Sequence, residues 1–168
     1  RSHFQSIDVQ LTLARLKVPF RITSGVGVFE QIHVKDVLAY LRLVVNPADE
    51  LSFLRFVELL PGVGEKSAQT YWERLGRNFD GRSGDCRDAL GKLLGAKARP
   101  LWPPLAKCLE CAYDHLAADE VGELIEDFSD LFYEDYLRKA WDDAEAEDRL
   151  ADLKELAAQI AGNEGGLE

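Results

Sequence analysis

The sequence predicts a mainly helical fold. From Gln31 onward, apolar residues recur at helical spacing, as in "VKDVLAYLRLVV", where they fall at 34, 37, 38, 41, 44 and 45. The breaks between such stretches carry helix start and stop residues: Asn46-Pro47, Asp49, the Gly62/Gly64 pair and the prolines of "RPLWPPL". Beyond residue 31 no stretch alternates in the manner of a half-buried strand. Apolar residues make up 46% of the 168 and charged residues 30%, a balance that supports a real core in one domain or a domain plus part of a second.

In chain order, "SIDVQLTLARLK" from Ser6 to Lys17 predicts a mostly buried helix, and "VPFRITSG" predicts one short strand over 19–24. A lone helix and strand cannot cover their apolar faces, so residues 1–30 read as part of a sheet completed elsewhere. Helices are then predicted over 34–45, from an Asn46 or Asp49 cap to Leu59, and over Glu65–Leu75. A loop covers "GRNFDGRSGDC". Further helices follow over Ala89–Leu94, Leu105–Leu116, Glu120–Lys139 and Ala144–Ile160, and "GNEGGLE" reads as a frayed, glycine-rich end.

No run of about 18 apolar residues exists, which excludes a membrane-spanning helix. The chain starts with Arg1 and holds no methionine, which reads as a piece of a longer protein. Three cysteines, Cys86, Cys108 and Cys111, are too few for a disulfide framework and suit a reducing cytoplasm. The net charge of −10 is unevenly spread: residues 1–108 carry 16 basic and 11 acidic side chains, and residues 109–168 carry 4 and 19. A basic front leaves room for a nucleic-acid face, because screening confines charge effects to about 8–10 Å.

The stretch with most chemical content is Leu60–Gln69, "LPGVGEKSAQ". A nucleotide-binding P-loop needs Gly-x-x-x-x-Gly-Lys-Ser/Thr after a strand. Here Glu65 stands where the glycine before Lys66 belongs, the first glycine is missing, and the preceding segment is helical. A helix-hairpin-helix turn fits instead. Gly62 and Gly64 supply backbone freedom, Val63 plugs inward, and the amides at the head of the next helix, with Lys66 and Ser67, face a phosphate. Such a site touches no base, so it is insensitive to sequence. The alternative is that Gly62-Val63-Gly64 is only a turn between two helices. Arg82, Arg87, Lys92, Lys97, Arg99 and Lys107 outnumber Asp85 and Asp88 just beyond it, and read either as a backbone-tracking surface or as a solvated face.

Other constellations read as structure. Cys108, Cys111 and His115, with Cys86, can be drawn as a zinc site. Their helical spacing instead places them on a buried stripe beside Leu105, Ala112 and Leu116. Trp72, Trp102 and Trp141 read as core rather than base-stacking rings. The acidic run "DDAEAEDRLADLKEL" reads as a solvated helix face with Leu150, Leu153, Leu156, Ala157 and Ile160 inward. No catalytic nucleophile or paired carboxylates stand out.

Several segments together resemble the UvrD/Rep/PcrA-type superfamily 1 DNA helicases: "RSHFQS", then "VPFRITSGVGVFEQIHVKDVLAYLRLVVNPADELSFLRFVELLPGVGEKSAQTYWERL", and later "EDRLADLKEL". The likeness covers residues 1–75 well and 145–156 moderately. It implies that residues 1–30 are a partial RecA-like 2A segment and that 31–168 are a helical, C-terminally truncated 2B-like subdomain. It also implies that Gly62, Val63, Gly64, Lys66 and Ser67 meet the backbone of duplex DNA irrespective of sequence and help regulate unwinding. The chain departs from the family pattern in three places. The family's Glu-Ile-Lys-Asp is His33-Val34-Lys35-Asp36, its Arg after Gln-Ser is Ile7, and its Arg before the glycine turn is Pro61. Walker A and B elements are absent. The resemblance therefore implies a non-catalytic fragment without cofactor or metal, with ATP and Mg belonging to the parent helicase. The implied partners are duplex DNA, other subdomains of the parent and further proteins, in a bacterial-type cytoplasm at the nucleoid, in DNA repair. The alternative is a protein-interaction or autoinhibitory helical module without DNA contact.

Overall fold

The computed structural model describes residues 31–118 and 120–164, with side chains through residue 161. The predicted helix over 6–17, the strand over 19–24 and the 2A-like segment lie outside the described residues. Within them the chain is helical and holds no strand.

Helix α1 (Ile32–Val45) is the central element. It packs against α2 (Glu50–Glu58), α5 (Trp102–Ala118), α6 (Val121–Phe128) and α8 (Asp143–Glu164). Its apolar stripe is buried on nearly all sides, which is why the periodicity of 34–45 is so dense. Tyr40 sits at its middle with ring centroids 4.6 Å from Phe128 and 6.1 Å from Phe56, and its hydroxyl donates to the Cys108 carbonyl at 2.9 Å. The aromatic body is buried and the polar end satisfied, so one side chain joins three helices.

Asp49 caps α2: its carboxylate accepts from the Ser52 amide at 3.0 Å and the Ser52 hydroxyl at 2.9 Å. Helix α3 (Glu65–Arg74) follows the hairpin and buries Ala68 and Trp72, the latter against Phe53 at 5.0 Å. The prediction of a loop through Cys86 and a helix only from Ala89 is corrected: α4 spans Gly84–Leu93. The Ser83 hydroxyl accepts from the Cys86 amide at 3.3 Å, a cap that the glycine-rich surroundings masked. A single turn of tighter helix, Arg99–Leu101, leads into α5, whose first turn carries Pro103 and Pro104 where no amide partner is needed.

The predicted helix over 120–139 is three pieces. After α6, residues Ser129–Tyr133 form a π-helical turn, and α7 (Glu134–Ala140) continues. Helix α8 turns Leu150, Leu153, Ala157 and Ile160 inward as predicted and Ala146 with them, whereas Leu156, also predicted inward, is half-buried. It packs tightly on α6. A Cβ added at Gly122 would lie 3.1 Å from the Ala157 carbonyl oxygen and 3.2 Å from the Ala161 Cβ, so a larger residue would have to push the two helices apart by a few tenths of an ångström.

Two polar residues of α1 are buried and partnered. Asp36 accepts from Arg55 Nε of α2 at 2.7 Å and from the Tyr133 hydroxyl of the π turn. Burial raises its pKa, opposed by those two donors. His33 Nε2 lies 3.1 Å from Asp152 of α8, and Nδ1 lies 3.4 Å from Arg149. Burial holds its pKa below the ordinary 6.5, against the pull of Asp152. A neutral imidazole that donates from Nε2 and accepts at Nδ1 satisfies both neighbours.

Candidate nucleic-acid interface

The hairpin between α2 and α3 brings Gly62, Val63, Gly64, Lys66 and Ser67 onto one short turn. Helix α2 ends as the Leu60 amide returns to the Val57 carbonyl at 3.1 Å, and the Val63 amide returns to Leu60 at 3.2 Å. Gly62 takes φ +78°, a left-handed conformation that closes this turn and favours glycine. Val63 is 7% exposed and fills the space beneath the turn. The expectation that Gly64 also needs glycine's freedom is corrected. Its φ of −113° and ψ of 176° are extended backbone open to any residue, and nothing lies within 4 Å of an added Cβ.

Gly64 is the cap of α3, and no side chain caps that helix. The Ser67 and Ala68 amides both return to the Gly64 carbonyl at 2.9 Å. The Glu65 and Lys66 amides, in the first turn, have no helical carbonyl behind them to donate to. Gly64, Glu65 and Lys66 are exposed and Ser67 is half-buried. The stem of Lys97 packs against the turn at Gly62, with its Cδ 3.6 Å from where a Gly62 Cβ would stand. Lys97 is thereby tied to the hairpin itself, whereas the sequence placed it only in a basic cluster 30 residues on. Glu65 works against an anion here: its carboxylate suits the positive helix end but repels a phosphate.

The basic cluster is in part structural. Arg87 donates to the carbonyls of Gly81 at 2.6 Å and Arg82 at 2.9 Å. Arg82 lies 4.5 Å over the Tyr113 ring, Arg99 donates to the Leu94 carbonyl at 3.0 Å, and Lys107 pairs with Glu110 at 2.8 Å.

The cysteine–histidine set does not converge. Among the described residues no three potential metal ligands come together. The Cys108 thiol is buried, donates to the Pro104 carbonyl, and has its pKa pushed up to about 12 by burial and by Asp127. Cys111 and Cys86 are half-buried. His115 is also half-buried and lies between Glu120 at 3.2 Å and Asp127 at 3.0 Å. Burial would lower its pKa, but these two carboxylates outweigh that and raise it above 6.5. Trp72 and Trp102 are core, and Trp141, half-buried, stacks under Arg149 at 4.6 Å.

The fold and turn together define a helical unit whose α3 head is exposed and uncapped by any side chain. The UvrD-like helicase C-terminal domain family matches residues 1–78, slightly less than half of the chain, and ends just past α3. Over 70 residues, 41% of this chain, the sequence is 37% identical to the ATP-dependent DNA helicase Rep of Buchnera aphidicola subsp. Baizongia pistaciae, and over another 70-residue match, again 41%, it is 39% identical to the ATP-dependent DNA helicase PcrA of Bacillus subtilis. It is 38% identical to the DNA helicase II of Haemophilus influenzae over 68 residues, 40% of this chain. These likenesses support the UvrD/Rep helicase family. The matched stretch spans about a tenth of each relative's length, 10%, 10% and 9% respectively. No solved structure matches.

Proposed function

We propose that this chain is a non-catalytic part of an ATP-dependent superfamily 1 DNA helicase, residues 1–30 closing a 2A segment and 31–168 forming most of a 2B-like subdomain. In this reading ATP and Mg act in the parent, and the hairpin contacts the backbone of duplex DNA without reading sequence. The observation that carries it is the uncapped head of α3, reached through the exposed Gly64, with Lys66 in its first turn and Lys97 packed on Gly62 of the same hairpin, inside the stretch that matches helicases. Two first-turn amides, Lys66, Lys97 and one or two neighbouring cations give a salt slope of roughly −2 to −4 in log affinity against log salt.

The test is a titration of duplexes of different sequence at two salt concentrations. Lys66→Ala should lower affinity for all sequences alike and reduce the slope by about one. A strong sequence preference, or a Lys66→Ala protein indistinguishable from the parent, would leave the hairpin as a turn. The second reading, a protein-interaction or autoinhibitory module, is favoured by one observation, the Glu65 carboxylate at the head of α3.

A further inference from the structure

Behind the hairpin lies a cavity of about 310 Å³, open to solvent, between the end of α2, the start of α5 and the π turn with α7. Its floor is the buried side of the hairpin, Leu60 and Val63, with Phe132. Its outer wall is Leu131 and Tyr136. The π turn sets this wall. One extra residue per turn leaves Leu131 40% exposed, while the next two residues, Phe132 and Tyr133, stay buried. π turns within α-helices are often kept at functional positions, because they cost stability.

We infer that this groove docks an amphipathic helix of a protein partner, one that presents a large apolar anchor flanked by Lys or Arg. The apolar floor and the size, near the small end of the about 300–1,000 Å³ typical of binding pockets, suit one or two side chains of a helix. Charge selects the flanks. Glu58 from α2 and Asp135 from α7 stand on opposite walls, both exposed, and neither is in an ion pair among the described residues. Lys139 is the single cation among the lining residues. Acidic walls repel a nucleic-acid backbone. They also disfavour a second copy of this chain. Its most exposed large apolar side chain among the described residues, Leu51 at 80%, follows Asp49 and Glu50, and the chain carries −10 overall. This inference does not rest on duplex binding by the hairpin.

The experiment titrates two synthetic helical peptides of about 14 residues into the full chain, one built of Leu and Lys and one of Leu and Glu in the same amphipathic pattern. Binding is followed by calorimetry and by amide chemical shifts. Two uncharged surface variants, Leu131→Gln in the groove and Leu51→Gln outside it, separate the groove from general acidity without touching the core. The Leu/Lys peptide should shift amides of residues 58–63 and 131–140, with affinity at least about tenfold weaker for Leu131→Gln and within about twofold for Leu51→Gln. The Leu/Glu peptide should bind at least about tenfold more weakly. Three results would overturn the inference: no saturable binding, equal effects of the two variants, or equal affinity for both peptides. Self-association by sedimentation that Leu131→Gln abolishes would assign the groove to a second copy instead, and overturn it too.

Discussion

Gly64→Asp separates the phosphate role of the hairpin from its structural role, because the two make opposite demands on that position. For the fold, the change is harmless. The backbone at Gly64 is extended, and an added Cβ meets nothing within 4 Å. Asp is a better helix cap than Gly by a few tenths of a kcal/mol, and its charge at the helix head adds about 0.3–1 kcal/mol. Stability should therefore hold or rise by up to about 1 kcal/mol. For a phosphate, the change is severe. The Asp carboxylate takes an amide at the head of α3, removing a charge-assisted hydrogen bond of about 1.5–3 kcal/mol. A like charge about 5 Å away adds roughly 0.8 kcal/mol of repulsion even in water. Together these predict at least about 30-fold weaker duplex binding. Fluorescence anisotropy with a labelled duplex at low salt, about 50 mM, alongside thermal unfolding, measures both. Unchanged duplex affinity in a protein of unchanged Tm would refute the phosphate reading outright. A large fall in Tm would refute the backbone geometry from which the prediction is built.

Glu65→Gln acts in the opposite sense: removing one like charge about 6 Å from a phosphate should strengthen duplex binding about threefold, and anisotropy should show no such gain on a neutral ligand. Tyr133→Phe leaves the buried Asp36 with Arg55 as its remaining side-chain donor and should cost about 1.5–3 kcal/mol in urea unfolding; a smaller loss would mean that water replaces the hydroxyl. The two histidines should titrate on opposite sides of 6.5 by NMR, His33 below it and His115 above it. The sign then fixes their effects. His115 stabilises the α5–α6 joint fully below its unfolded pKa and loses that contribution as pH rises through its folded value, whereas the contribution of His33 is present above its unfolded pKa and is lost as pH falls toward its folded value. His115→Gln should therefore lower stability at pH 6 by more than at pH 8.

Most of the helices were legible because their apolar stripes are complete. Residues 34–45 bury every position their spacing names except Val45, which is 37% exposed where the helix ends, and 144–160 bury all but Leu156, which is half-buried. The start of α4 was not legible, since Ser83 lies inside "GRSGD", where turn chemistry and cap chemistry look alike. Nor was the π turn, because a one-residue insertion in a helix leaves the apolar period nearly unchanged over five residues. At the hairpin, the inward Val63 was legible from its place between glycines, but the separate demands on Gly62 and Gly64 depend on dihedral angles that composition does not encode. The roles of His33 and Asp36 were missed. Two polar residues three apart in an otherwise apolar stripe were the available signal, but their partners, Asp152 and Tyr133, are about a hundred residues away.

That missed pair shows what holds the hairpin in place. Asp36 joins Arg55, near the end of α2, to Tyr133 of the π turn. Helix α2 leads directly into Gly62, and the π turn supplies Leu131 and Phe132 to the groove. The hairpin thus borders the groove with one part and solvent with another. Gly64 to Ser67 face the solvent on one side, and Leu60 with Val63 floor the groove on the other. A ligand on either side presses on the same turn, and one buried carboxylate anchors the elements on both. Energetic coupling requires that a groove ligand bind the two positions of the turn with different affinity. Leu60 and Val63 line the groove, so it is the place from which a bound partner would alter the proposed grip of this hairpin on a phosphate.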